Sequence, residues 1–203
     1  MLFQASPWGL TAGIRFRPCS ANVKRMRPSK VIAIGGAILG AIGVIALVVR
    51  KPSQPIRRVA LIGDSYAVGL GPELVKLLTE FQYEGHVGTN TWQWAHRTGC
   101  GRCGDWLASF KPEVVLVSLG VNDGGEPKLS NYQAIVQNLH GLGARVVWIE
   151  PPAAVNTPSR ALIASLGIST VPATRVPLGA DNLHPLGGEY STWAKEIAEA
   201  LGT

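Results

Sequence analysis

The chain has 203 residues, 46% of them apolar, which is enough for one ordinary domain and a further segment. Ten of its 19 Lys and Arg precede Asp64 and no Asp or Glu does, leaving 9 basic against 13 acidic residues from Asp64 onward, a formal −4. The overall charge of +6 therefore belongs to a basic leader, and with no basic face on the folded part nucleic acid is excluded as a partner.

Residues 1–30 show no periodicity and are expected to be a disordered basic segment. Met26 stands just before a short basic stretch and an apolar run, as a bacterial start site would, so residues 1–25 read as an upstream extension. Val31 to Val49 carries no charge and no strongly polar side chain, and its length suits a helix across the hydrocarbon core. A buried core helix would show a polar face, and this run has none. A transmembrane helix is expected over residues 31–50. A cleavage site for a signal peptide is hard to place before Arg50 and Lys51, so we expect an uncleaved single-pass anchor. About six basic residues precede it and four follow, which favours the domain on the outer, periplasmic or extracellular, side. Gly36 and Gly40 form a GxxxG pair, more simply read as glycines common in such segments.

A Pro-containing linker over 51–57 leads into the domain at 58–203. Strand-like runs then alternate with helical patterns. Strands are expected at Arg58–Gly63, Tyr83–Val87, Val114–Leu119, Arg145–Ile149 and Ser169–Pro172. Helices are expected at Ala67–Phe81, with Leu70, Leu74, Leu77 and Leu78 on one face, at Tyr132–Leu142 and at Leu186–Leu201. This alternation implies an α/β three-layer sandwich with a parallel sheet, flavodoxin-like in order 2-1-3-4-5. Functional groups then gather at the carboxyl ends of the strands.

Three segments fall at that edge. Gly63-Asp64-Ser65 follows the first strand, Gly120-Val121-Asn122-Asp123 the central one, and Asp181-Asn182-Leu183-His184-Pro185 precedes the last helix. Singly, these are turn and cap residues. Together they supply a reaction. A serine hydroxyl becomes a nucleophile when a base takes its proton, and His184 is such a base for Ser65. Asp181, three residues before it, is placed to orient the imidazole. Asn122 and backbone N–H groups near Ser65 are donors for a developing oxyanion.

These blocks, GDSYAVGLG, SLGVND and DNLHP, resemble in kind and order those of the SGNH hydrolases, the GDSL-type esterases and lipases. The resemblance spans about Arg58 to Leu201. It implies a flavodoxin-like fold, no metal, no cofactor, and an acyl-enzyme mechanism on a small-molecule, glycan or lipid ester. It makes Ser65 the nucleophile, His184 the base and Asp181 its orienter, and gives the oxyanion to Ser65 N–H, Asn122 and a second-block glycine. Gly88 fills that place best, ahead of Gly99, Gly101 and Gly104. Tyr66 stands where the family has Leu, a departure we expect to be harmless. Asp64, Trp92 and Trp94 are candidate substrate contacts, although the tryptophans also suit a core. The alternative is an inactive domain of this fold that binds glycan or scaffolds.

Cys100 and Cys103 form a C-x-x-C pair. A disulfide fits an oxidising compartment, and the readings as a redox motif or, with His96, as part of a zinc site stay open. His86 or His140 would complete a zinc set only by an accident of folding.

Overall fold

The computed structural model describes residues 56, 58–98 and 103–202. The expected membrane segment at 31–49, the basic leader, most of the linker, Gly99, Cys100 and Gly101 lie outside them. Among the described residues no helix is long and apolar enough to cross a membrane.

The elements are β1 (Arg58–Gly63), α1 (Ser65–Leu74), β2 (Glu80–Gly85), α2 (Thr91–His96), α3 (Leu107–Phe110), β3 (Val114–Ser118), α4 (Leu129–Gly141), β4 (Arg145–Ile149), α5 (Ser159–Ser165), β5 (Ser169–Val171) and α6 (Glu189–Leu201). The five strands form one parallel sheet in the order β2-β1-β3-β4-β5, as expected. Val59 faces Val114 and Phe81, and Val115 faces Val146, so the most apolar strands occupy the centre.

Successive side chains leave a strand on opposite faces, and both faces here are covered. Val59, Leu61, Val114, Leu116, Val147 and Ile149 pack with Leu70 and Leu74 of α1 and Trp193 and Ile197 of α6. Ala60, Ile62, Val115, Val117, Val146 and Trp148 pack with Trp94, Leu107, Tyr132, Ile135 and Ile163 from α2 to α5. Burying a leucine such as Leu70 or Leu74 contributes about 2 kcal/mol.

Several boundaries differ from expectation, and α4 starts three residues early, at Leu129. The first helix ends at Leu74, not Phe81, because Glu80 to Gly85 pairs along the whole of β1. One further turn carries the apolar spacing to Leu78, which is buried, while Leu77 is exposed. The second strand therefore starts three residues early, and Val87 lies beyond it in solvent. The last helix starts at Glu189 because Leu186, Gly187 and Gly188 form a turn. Helices α2, α3 and α5 are not among the expected elements.

Candidate active site

The position of Ser65, the candidate nucleophile, is built by the β1–α1 junction. At Gly63 a Cβ would collide with the Ser118 carbonyl oxygen, so only glycine lets β1 end this close to β3. The next N–H, from Asp64, donates to that same oxygen at 3.0 Å. Asp64 caps α1, its carboxylate accepting from Tyr66 N at 3.0 Å. Ser65 is thereby the first helical residue, where backbone N–H groups have no partner inside the helix.

Asp64 was a candidate substrate contact, and the structure corrects this: the residue is completely buried beneath the site. Burial is the main force pushing its carboxyl up to about 7, with the Asp123 charge adding to it and backbone hydrogen bonds opposing.

His184, the candidate base, comes from the segment before α6. Asp181 Oδ1 accepts from Leu183 N and His184 N, both at 3.0 Å, and Asn182 takes the left-handed conformation that closes this turn (φ 53°). Gly179 N donates to His184 O at 2.7 Å, and Leu178 bridges to Pro185, so both sides of the turn are tied. Asp181 Oδ2 lies 2.6 Å from His184 Nδ1, and His184 Nε2 lies 2.8 Å from Ser65 Oγ. The Ser65–His184–Asp181 constellation expected from sequence is thus assembled. Hydrogen bonds from the His184 ring and from two backbone N–H groups hold Asp181 down to about 2, so it is ionised at neutral pH.

Tyr66 takes part in this arrangement. It is almost wholly buried, its hydroxyl donates to Leu183 O at 2.9 Å, and its ring meets the His184 imidazole edge-on at 5.6 Å. On its other side it packs against Trp193 at 5.4 Å. The tyrosine that stands in place of the expected leucine thus touches the His184 turn directly. Only the structure shows that position 66 and the His184 turn are neighbours.

Asn122 Nδ2 donates to Thr89 O at 3.0 Å and faces Asp64 Oδ2 at 3.3 Å, which sets the carboxamide beside the start of α1. Gly88 has φ 75° with open space where a Cβ would be, so backbone conformation rather than crowding favours glycine there. Its N–H has no partner among the described residues. Gly104 is otherwise engaged, donating to Glu84 Oε2 at 2.9 Å.

Trp94 is also corrected as a substrate contact. It is buried in the core and its indole N–H donates to Thr89 Oγ1 at 3.2 Å. Trp92 is half exposed and stacks on His96. Asp123 has a role that turn chemistry alone did not reveal: it accepts from Thr91 N and Oγ1 at 2.8 and 2.7 Å and from Tyr132 OH at 2.6 Å, tying α2 and α4 to the loop after β3. Cys103 is disulfide-bonded. Glu84, His86 and Cys103 cluster as metal ligands might, but a disulfide sulfur is not the thiolate that zinc requires, and Glu84 is committed to His86, Gly104 and Trp106.

The fold matches solved hydrolases. A GDSL-like lipase from Bacteroides thetaiotaomicron superposes over 72% of this chain and 88% of its own, with a TM-score of 0.54 at 17% identity. The described domain has the SGNH/GDSL hydrolase fold. A psychrotrophic esterase from a Pseudoalteromonas species, inhibited by monoethylphosphonate, covers 72% of this chain and 97% of its own, with a TM-score of 0.54 at 15% identity. The C-terminal catalytic domain of peptidoglycan O-acetyltransferase A from Streptococcus pneumoniae covers 73% and 94%, with a TM-score of 0.54 at 19% identity. No protein-family model matches the SGNH-fold chain, and no curated protein sequence does.

Proposed function

We propose that this chain is a serine ester hydrolase that works through an acyl-enzyme on Ser65. The observation that carries the proposal is the continuous contact from Ser65 Oγ to His184 Nε2 at 2.8 Å and from His184 Nδ1 to Asp181 at 2.6 Å, made by residues 119 positions apart. The similarity in fold to esterases and lipases supports it.

Ser65 Oγ attacks the ester carbonyl carbon as His184 Nε2 takes its proton. Asp181 accepts from Nδ1–H and stabilises the imidazolium. The carbonyl oxygen becomes an oxyanion facing the Ser65 and Gly88 N–H groups and the Asn122 amide. Collapse expels the alcohol, which takes the proton from Nε2. Water then attacks the acyl group, His184 takes its proton, and the acid leaves with Ser65 restored. A sugar hydroxyl in place of water would make the same site a transferase, the activity named for the pneumococcal neighbour. The solvent-facing His184 and Asp181 side chains, 34% and 52% exposed, favour water as acceptor.

Hydrolysis of 4-nitrophenyl acetate by the full chain is expected, and Ser65→Ala is expected to abolish it at unchanged thermal stability. Equal rates in the two proteins would refute the proposal. We further place the domain at a membrane, held by residues 31–49 on its outer side. The uncharged run ended by Arg50 and Lys51 supports this. Extraction from membranes by detergent but not by high salt is expected.

A further inference from the structure

We propose that opening the disulfide at Cys103 completes a zinc site formed by Glu84, His86 and Cys103. The inference does not rest on the ester hydrolase reading, since none of the three residues belongs to the Ser65–His184–Asp181 constellation.

Glu84 lies on β2 and His86 directly after it. Two positions apart on extended chain, their side chains leave on the same side of the sheet. Cys103, almost wholly buried, comes from the segment before α3 and brings its sulfur to the same place. A carboxylate oxygen, a ring nitrogen and the sulfur, one atom from each residue, lie within 4.8 Å of one another. Carboxylate, imidazole and thiolate are the donors that zinc takes, and three of them leave the fourth tetrahedral position for water. Magnesium and calcium, which prefer oxygen donors, suit the set less well.

The surroundings fit a metal ligand set. Gly104 N and Trp106 Nε1 both donate to Glu84 Oε2, at 2.9 and 2.6 Å, and Oε1 faces His86 Nε2 at 2.7 Å. Outer hydrogen bonds of this kind orient a coordinating carboxylate. His86 N donates to Gly63 O at 3.0 Å and the His86 ring lies 6.0 Å from that of Trp94, so backbone and ring are both placed. Zinc bound by Glu84 and His86 together needs their ligand atoms about 3.3 Å apart. That is a small opening for side chains that are 20% and 36% exposed.

Charge points the same way. With the disulfide open, Cys103 is a buried sulfur beside a carboxylate, and a thiolate there needs a cation to offset the repulsion. A zinc ion balances one thiolate and one carboxylate. A dithiol supplies the two electrons and two protons that turn the disulfide into two thiols, and is itself left as a disulfide. Zinc then bonds to Cys103 Sγ as the thiol proton leaves to solvent. With the disulfide closed the sulfur is no ligand, so the site belongs to the reduced chain alone.

The chain has three cysteines, Cys19, Cys100 and Cys103. In the full chain, Cys19→Ser/Cys100→Ser therefore leaves Cys103 as the sole thiol with no reductant present. Cobalt(II), a spectroscopic stand-in for zinc, is titrated into this variant without oxygen. One equivalent is expected to bind with a thiolate-to-cobalt charge-transfer band and the strong visible bands of a tetrahedral site, and zinc is expected to displace it. A further Glu84→Gln or His86→Ala should weaken binding by about tenfold or more, and Trp106→Phe, which removes only an outer hydrogen bond, by about tenfold. The oxidised wild-type chain should show no charge-transfer band. A double variant that is folded by circular dichroism and shows no such band would overturn the site, even if the reduced wild type binds cobalt, because the cysteine pair would then be the ligand. Binding left unchanged by Glu84→Gln and His86→Ala would overturn it too. The reduced wild type gives a second measurement: zinc is expected to raise its Tm but not that of reduced His86→Ala, and an equal rise in both would contradict the assignment.

Discussion

Ser65 and His184 meet at 2.8 Å because two short turns are each over-determined, and the residues that do this are the ones to change first. Tyr66→Phe keeps the buried ring but removes the hydrogen bond to Leu183 O. We expect a stability loss of about 1 kcal/mol and a several-fold lower kcat with KM little changed, because the imidazole, not substrate, loses its tether. A rise in KM at constant kcat would contradict this role. Asn122→Ala removes a proposed oxyanion donor and is expected to lower kcat by about 10²–10³. Steady-state hydrolysis of 4-nitrophenyl acetate checks both. Ser65 was legible as a residue type at a strand end, and Asp181 and His184 as residue types before the last helix. Tyr66 was not, because its partner lies 117 residues away and local sequence carries no sign of that contact.

At the scale of elements, the β1–α1 junction holds a close backbone approach and a buried carboxyl. Gly63→Ala would drive a methyl into the Ser118 carbonyl, and a loss of about 1–3 kcal/mol is expected in denaturant unfolding. Asp64 makes stability depend on pH. Its folded pKa, about 7, lies above the ordinary aspartate value of 3.8, so the folded state holds the proton more tightly. Its contribution is whole below pH 3.8 and is lost as pH rises towards about 7. Asp64→Asn keeps an acceptor for the cap and removes the titration, so its midpoint in urea should vary less between pH 4 and 7 than that of the wild type. Parallel curves would contradict this assignment. Asp181, held near 2, contributes the opposite trend, its stabilisation being lost only as pH falls below the ordinary carboxylate range towards 2. The strands were legible because β1, β3 and β4 are continuous apolar runs that only a doubly covered sheet can bury. The end of α1 was not, since the leucine spacing runs on through the turn to Leu78. β2 was placed late because it lies at the sheet edge with mostly polar side chains.

For the described domain as a whole, strand order matters more than any one contact. With β1 and β3 adjacent at the centre, the residues that follow them, Ser65 and Asn122, open onto one edge of the sheet, and the turn before α6 returns His184 to it. That order is the one strand–helix alternation implies. Buried and exposed tryptophans could not be told apart in the same way. Trp92 and Trp94 are two positions apart on one short helix, and which of them meets the core depends on how α2 sits against α4. The disulfide at Cys103 is a covalent constraint, and a reductant is expected to lower Tm while leaving the Ser65–His184 contact, which involves none of the same residues, able to react.

The most direct test is covalent. The full chain is treated with a fluorophosphonate probe, alongside Ser65→Ala and His184→Ala, and the adduct is mapped by mass spectrometry. An activated Ser65 requires one adduct, on Ser65, absent from Ser65→Ala and strongly slowed in His184→Ala. A folded protein that takes up no probe, or that carries it on another residue, would contradict an activated Ser65.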